Sequence, residues 1–426
     1  MPQQSCKSRL LKDMVVGMVG LAMNYRFVRP WIGAISFAVA ILVAGCSPGH
    51  NTFSFNPSPT PTPIANARMM VSDNQTGAII VVNAQTDVIT HTLAAPSPAK
   101  MVSAGGTTVI QSTLASVLTI FDNATEAIRF SVPLPALAVD IALTPDGSTA
   151  WVAENNGTVQ SVNTTTGLIT ATDLTPGVQR IVMGPQGTAI LAFNDTLAIN
   201  FTVILPPSTI PLVLGNTGLD HPANGVFFSV DNNFKVFNCG RECVGTQASE
   251  VGVTLNTPGG PFISSPLAVS GATVGLLSGN TLFVAGSPAT GLNAGTVQAI
   301  NESTNIAGTP VTIADGRHNL MVLTSNGRLY IGAQGCTLGV PNAQNLRQGC
   351  LDIFDTTTLT VTPVLLPALR TNGDVTGLAS VAGRTVIYVV QGGQLDIFDT
   401  TTNAVSSSIT PLNITGTVSG VVQLSP

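Results

Sequence analysis

An all-β fold assembled from a repeated unit is what this sequence predicts, and three observations predict it. Only 9% of the 426 residues are charged and 5% aromatic, while 42 are glycine. Gly, Thr, Val and Ala abound and the helix formers Glu and Lys are scarce, which suits short strands and tight turns better than long helices. The octapeptide LDIFDTTT at Leu351 to Thr358 returns letter for letter at Leu395 to Thr402. Around most copies the same arrangement recurs: a strand, a Gly-containing turn and a second strand before, and another strand after. Four strands in about 45 residues is the length and content of one propeller blade.

Weaker copies of the octapeptide are IIVVNAQT, LTIFDNAT, VQSVNTTT and VQAINEST. The residues that close the alternation are Asn83, Asp122, Asn163, Asn301, Asp355 and Asp399. Two degenerate members, LAINFTVI near Asn200 and VGVTLNT ending at Asn256 and Thr257, bring the count to eight. The strand pairs that precede the copies include VDIALTPDGSTAWVAE, QRIVMGPQGTAILAF, LMVLTSNGRLYIGA and GLASVAGRTVIYVV, and the strands that follow include AIRFSVPL, LITATDL and TVTPVLLP. Such units cannot bury both faces alone, but they can when packed face to face around an axis. Period-2 alternation puts Leu351, Ile353 and Asp355 on one side of the sheet and Asp352 and Phe354 on the other. An Asx side chain can accept a hydrogen bond from the backbone two residues on, so the octapeptide reads as a turn specification.

The ends indicate how a ring closes. The first unit begins at its second strand, RMMVSD, and the chain finishes with an orphan first strand, TGTVSGVVQLSP. Pairing the two completes the first of eight antiparallel four-stranded blades and protects sheet edges. The expected fold is thus a single β-propeller over residues 68–426.

Residues before 68 have another texture. Arg26 and Arg29 precede the apolar run WIGAISFAVAILV, which leads into Ala44-Gly45-Cys46. This is the order of a signal peptide: charged region, apolar region, small-residue cleavage site. The apolar runs Met14 to Met23 and Trp31 to Gly45 are each shorter than the ~20 residues a membrane span needs. The letters LVAGC resemble a bacterial lipobox, and the resemblance implies that residues 1–45 are removed and that Cys46 becomes the lipidated first residue. Three acyl chains exceed the one-chain regime of marginal membrane binding. The segment before Met23 is superfluous for such a signal, so Met23 is the expected true start. Ser47 differs from the Asp that marks inner-membrane retention in the best-known sorting rule, which implies the outer membrane. Residues 46–67, Cys46 followed by SPGHNTFSFNPSPTPTPIANA, read as an extended tether with a reach of roughly 60 Å.

Charge excludes one class of function. The net charge is −5, and the first 45 residues hold five basic residues (Lys7, Arg9, Lys12, Arg26, Arg29) against Asp13, which leaves −9 without them. An acidic chain without a Lys/Arg cluster has no electrostatic footprint for nucleic acid. Of six cysteines, Cys6 falls in the signal and Cys46 is acylated, leaving Cys239, Cys243, Cys336 and Cys350. In an oxidising compartment they form two local bridges, Cys239 to Cys243 and Cys336 to Cys350. The alternative, a four-thiolate zinc site, has unusual spacing; no metal and no cofactor is expected.

The unit TAWVAENNGTVQSVNTTTGLITATD resembles the repeat of the YVTN-type propeller family. LYIGA, VIYVV and LFVAG match its second strand and TPDGS the preceding turn. The resemblance runs from Arg68 to the C-terminus, with blades 4 and 5 poor matches. Members of that family are often seven-bladed, which keeps seven as the alternative to eight. The resemblance implies a fold and leaves chemistry open.

Two places can carry function. Loops joining second and third strands share a face with loops entering the innermost strands. Both disulfides fall in the former class, in the long insertions NCGRECVGTQASE and GAQGCTLGVPNAQNLRQGC. They either shape a recognition surface or only rigidify exposed loops. At the entrances to innermost strands lie Lys100, Asp140 and Arg180, in steps of 40, with Asn319 and Asp374 at nearly equivalent positions and His221, Arg317 and His318 nearby. Such a ring suits a small anion or an acid/base site; alternatively its members are hydrated channel residues paired with their neighbours. G-x-S-x-G, H-E-x-x-H and P-loop patterns are absent. There is no Cys-Cys pair, and Trp31 and Trp151 are the only tryptophans, which separates the chain from quinoprotein dehydrogenases. The first expectation is therefore a lipid-anchored envelope propeller that binds a protein, peptide or glycan through its disulfide-braced loops. The alternative is a lactonase-like hydrolase using Asp140, Arg180, His221, His318 and Asp374.

Overall fold

The computed structural model describes residues 67–426 apart from 185–188, 198, 206–211, 216–217, 229–232, 256–260, 289–293, 337–346, 367–372, 407–413 and 415. Cys46, the signal and the tether lie outside the described residues. Eight antiparallel sheets of four strands follow one another. Blade 3 shows the plan, running outward from Ala138–Leu143 through Thr149–Glu154 and Thr158–Asn163 to Ile169–Leu174. In blades 5 and 6 the outermost strand is split into two short pieces. The innermost strand of blade 1 is the C-terminal Val418–Gln423, paired antiparallel with Arg68–Asp73. The expected closure and the count of eight are both found.

The core explains why a two-residue period builds a ring. Apolar residues cluster between blades, and each cluster draws on two neighbours. Met69 and Val71 pack with Tyr388 and Val390 of blade 8, while Met70, on the other face, packs with Met101, Ile110 and Phe121 of blade 2. In the octapeptide, Leu351 and Ile353 enter the interface of blades 7 and 8, and Phe354 enters that of blades 6 and 7 beside Phe283. Such a strand thus serves two interfaces, and a one-residue slip would exchange them.

The closing Asx residues act as expected. Asp355 Oδ1 accepts the backbone N–H of Thr357 at 2.8 Å and of Thr358 at 3.0 Å. Asn83, Asp122, Asn163, Asn301 and Asp399 accept from the same two positions. Four residues beyond each Asx the chain is left-handed, at Asp87, Glu126, Gly167, Asn305, Leu359 and Asn403. This fifth position faces the preceding blade. Asp87 receives two hydrogen bonds from Arg384 of blade 8, at 2.8 and 2.9 Å. Gly167 lies against Phe130 of blade 2, where a Cβ would come within 3.0 Å of the ring, so glycine suits this position for space, while other units hold a similar φ with Asp, Glu, Asn or Leu.

The two degenerate copies fare differently. Asn200 opens the third strand of blade 4, Asn200–Ile204, instead of closing it. The apolar residues Phe201, Val203 and Ile204 that fill the interfaces lie beyond it. Asn256 and Thr257 lie outside the described residues.

Candidate channel mouth and loop face

Each innermost strand starts at the face that carries the loops between second and third strands; the Leu137 carbonyl of one such entrance accepts the Asn155 N–H of one such loop at 2.9 Å. At six entrances the pairing register shifts by a bulge, beside Ser419 and within Pro98/Met101, Ala138/Asp140, Pro222/Asn224, His318/Leu320 and Val375/Gly377. Bulges re-aim side chains at a barrel or sheet rim. Here polar groups beside them reach a neighbouring blade. Ser419 Oγ donates to the Pro98 carbonyl at 2.6 Å, Lys100 pairs with Asp140, and Asp140 Oδ2 accepts the Ile181 N–H at 2.9 Å. Asn224 Nδ2 donates to the Thr273 carbonyl at 3.1 Å, and Asp374 Oδ1 accepts the Gly335 N–H at 2.7 Å. Lys100, Asp140 and Asp374 therefore belong to a girdle that ties blades together. Asn319 is the extra residue of the blade 7 bulge, one step from the position inferred by spacing.

The remaining ring residues are reached by loops crossing the mouth. Arg317 Nη2 bonds Asp195 Oδ2 at 2.8 Å, joining blade 7 to the second-to-third loop of blade 4. Arg180 stands within electrostatic reach of Asp140, Asp195 and Arg317; burial pulls its pKa below the usual value, Arg317 adds to that, and the two carboxylates oppose it. His318 is fully buried. Its backbone N–H and Nδ1 lie 3.0 and 2.8 Å from the two oxygens of Glu242, which comes from the short 3-10 turn Gly240–Cys243 of blade 5. Gly295 makes room for the imidazole, since a Cβ there would come within 2.4 Å of Cε1. His221 Nδ1 contacts Asp220 Oδ1 at 2.7 Å, so each imidazole has a carboxylate partner of its own.

Both cysteine pairs are bridged, each with a Cα separation of 5.7 Å. The Cys239–Cys243 loop is held further by Asp220, whose Oδ2 accepts from Thr246 N and Oγ1 and from Gln247 N at 2.7, 2.6 and 2.9 Å. Burial works against this carboxylate, but those donors and His221 prevail and hold its pKa down at about 2. What the braced loop presents is Val244, 88% exposed with φ at 66°. A β-branched residue in that region is strained and persists only where its surroundings over-determine it. Leu114, in the corresponding loop of blade 2, is 80% exposed. These two are the most exposed large apolar residues described, and both lie on the loop face.

No family model and no curated protein matches this chain in sequence. Similarity appears in three dimensions. Dihydro-heme d1 dehydrogenase NirN, solved in complex with DHE, has a TM-score of 0.62 at 10% identity, over 88% of this chain and 78% of its own. Apo AztD from Citrobacter koseri has a TM-score of 0.58 at 11% identity, over 84% and 97%. The C-terminal WD40 domain of Sif2 has 0.58 at 9%, over 78% and 92%. What is shared at these identities is the β-propeller.

Sequence reasoning missed Asp195, Glu242 and Asp352. Glu242 stood out only as the acid between two cysteines. Asp352 lies inside the octapeptide, where Oδ2 accepts the Ala314 N–H at 2.9 Å. Burial pushes its pKa up to about 6, with that hydrogen bond and His318 opposing. The folded state therefore holds a proton more tightly than the unfolded chain, whose value is near 3.8, and stability present below about pH 4 is lost as pH rises through about 6. The difference corresponds to about 3 kcal/mol across that window. Asp352→Asn keeps an acceptor for Ala314 and removes the titration. Urea midpoints at pH 4.5 and 7.5 should show the wild type losing stability relative to the variant; parallel behaviour of the two would contradict the assignment. Among the described residues, no three His, Cys, Asp or Glu side chains are grouped as a metal site requires.

Proposed function

We propose that this protein is a lipid-anchored envelope module of the YVTN-repeat kind that binds a protein, peptide or glycan through its loop face. The observation that carries the reading is Val244: an apolar side chain displayed at strain, on a loop braced by Cys239–Cys243 and by Asp220. Rigid presentation lowers the ordering cost of binding, and an exposed apolar group gains most from being covered. Topology supports the direction of display. Ala67 and Arg68 enter blade 1 beside Asn83 and its Asx turn, on the face opposite the disulfide loops. A tether running from Cys46 would join the propeller at that opposite face and leave the loops uncovered, and Ser47 favours the outer membrane as the anchor's site. The hydrolase alternative gains less support, because His221 and His318 are each occupied by a separate carboxylate.

Two variants test the proposal. Cys46→Ser is expected to move the protein from the membrane fraction to the soluble fraction. Val244→Asp is expected to abolish crosslinking to envelope components in cells while leaving the circular dichroism spectrum and melting temperature unchanged. Envelope crosslinks that persist unaltered in Val244→Asp and in Leu114→Asp would rule out the loop face as the binding surface.

A further inference from the structure

The channel mouth holds an unbalanced pair of cations. Arg180 begins the innermost strand of blade 4, Arg180–Met183, and Arg317 begins that of blade 7, Arg317–Leu323. Arg317 bonds Asp195 at 2.8 Å, and the Asp195 N–H lies 3.1 Å from Oε1 of Gln179, the residue before Arg180, so the Asp195 loop brings the two arginines within electrostatic reach of each other. Like charges so placed repel, and a partly buried wall screens that repulsion less than bulk water does. The carboxylates at hand are already engaged. Asp140 takes Lys100, its own neighbour's Ile141 N–H at 3.0 Å and the Ile181 N–H at 2.9 Å. Asp195 is bonded to Arg317 at 2.8 Å. Glu242 is turned to His318. Among the described residues, none makes a hydrogen bond or ion pair with the Arg180 guanidinium. The approach from solvent is open, since the Arg317 and Lys100 side chains are 52% and 47% exposed.

We propose that Arg180 and Arg317 clamp a small oxyanion, a phosphate or a short carboxylate, at the mouth of the central channel. Two guanidinium forks, from blades 4 and 7, match the oxygens of such an ion and exchange mutual repulsion for charge-assisted hydrogen bonds. Asp195 competes with the ion for Arg317, so it lowers the affinity and offsets part of the positive charge when the site is empty. The proposal does not depend on the role of the surface that presents Val244.

Calorimetric titration of the full chain with inorganic phosphate and with succinate, at constant ionic strength, tests this. The wild type should bind at least one of the two saturably, and which one it prefers tells a tetrahedral from a planar oxyanion. Arg180→Gln should weaken binding about tenfold or more, the equivalent of losing one charge-assisted hydrogen bond. Asp195→Asn should strengthen it severalfold, which a merely structural loss would not do. Arg317→Gln, at a half-exposed position, gives the same readout if Arg180→Gln fails to fold. Absence of saturable binding of either ion by the wild type, or wild-type affinity in both arginine variants, overturns the proposal.

Discussion

Deleting residues 417–426 is expected to abolish the cooperative unfolding transition of the propeller, or to lower its midpoint by more than about 20 °C. The deleted segment contains Val418–Gln423, the innermost strand of blade 1. Val418, Val421 and Leu424 are buried, and they pack against blades 8 and 2. Burying three such side chains contributes about 2 kcal/mol each. The hydrogen bonds to Arg68–Asp73 add about 1 kcal/mol apiece. Further ties cross the closure: Asp73 Oδ1 accepts the Thr417 N–H at 3.1 Å and Asn123 Nδ2 donates to the Ser425 carbonyl at 2.8 Å. Their sum rivals the ~5–15 kcal/mol by which whole domains are stable. The edge of Arg68–Asp73 is also left bare, which favours association with other chains. A melting temperature unchanged by the deletion would mean that the ring closes some other way.

Lys235→Met should cost about 3–5 kcal/mol and about 10 °C in melting temperature, the largest effect expected of any single substitution here. Lys235 of blade 5 is buried, and its Nζ lies 3.3 Å from Glu250 Oε1 and 2.6 Å from Glu302 Oε2 of blade 6. Burial works against the ammonium charge, yet the two carboxylates outweigh it and raise its pKa. Glu250 is raised as well, by burial first and by Glu302 in addition, with Lys235 opposing. Without the lysine, two buried carboxylates face each other uncompensated. They can relieve this by taking up a proton, so the deficit of Lys235→Met should shrink between pH 7 and pH 5. Adding Glu250→Gln and Glu302→Gln to the same chain should recover much of the lost stability, measured by urea unfolding. Equal deficits at the two pH values would contradict the ion-pair account.

The site was legible in the sequence to the extent that it repeats or is local. The 40-residue steps located Lys100, Asp140 and Arg180 on successive innermost strands because blade length sets that spacing. Cysteines four and fourteen residues apart announce short loops, which can close with little help from the rest of the fold. By contrast, Arg317 meets Asp195 across 122 residues and His318 meets Glu242 across 76. No periodicity encodes such contacts. One of the hidden ties did leave a trace. Glu302 follows Asn301 at the place where Thr164, Thr356 and Thr400 follow their own Asx residues; in two of these units, the Thr164 and Thr356 hydroxyls donate to the Gly147 and Gly327 carbonyls within the blade. The acid at that place in blade 6 is a departure from the repeat, and its partner Lys235 lies in the blade where the repeat is weakest.

By itself, the sequence determined the blade. Alternation decides which residue enters which interface, Asx turns decide where third strands end, and the orphan strand at the C-terminus decides closure. The first two follow from backbone geometry over a few residues, and the third from the number of strands in the repeat. Only the tertiary structure decided the mouth of the channel. There, bulged strands and loops from distant blades bring charges together, and the identity of each partner depends on how eight blades are arranged around the axis. That arrangement turned most of the expected ring into a structural girdle, buried His318, and brought Arg180 and Arg317 within electrostatic reach of each other.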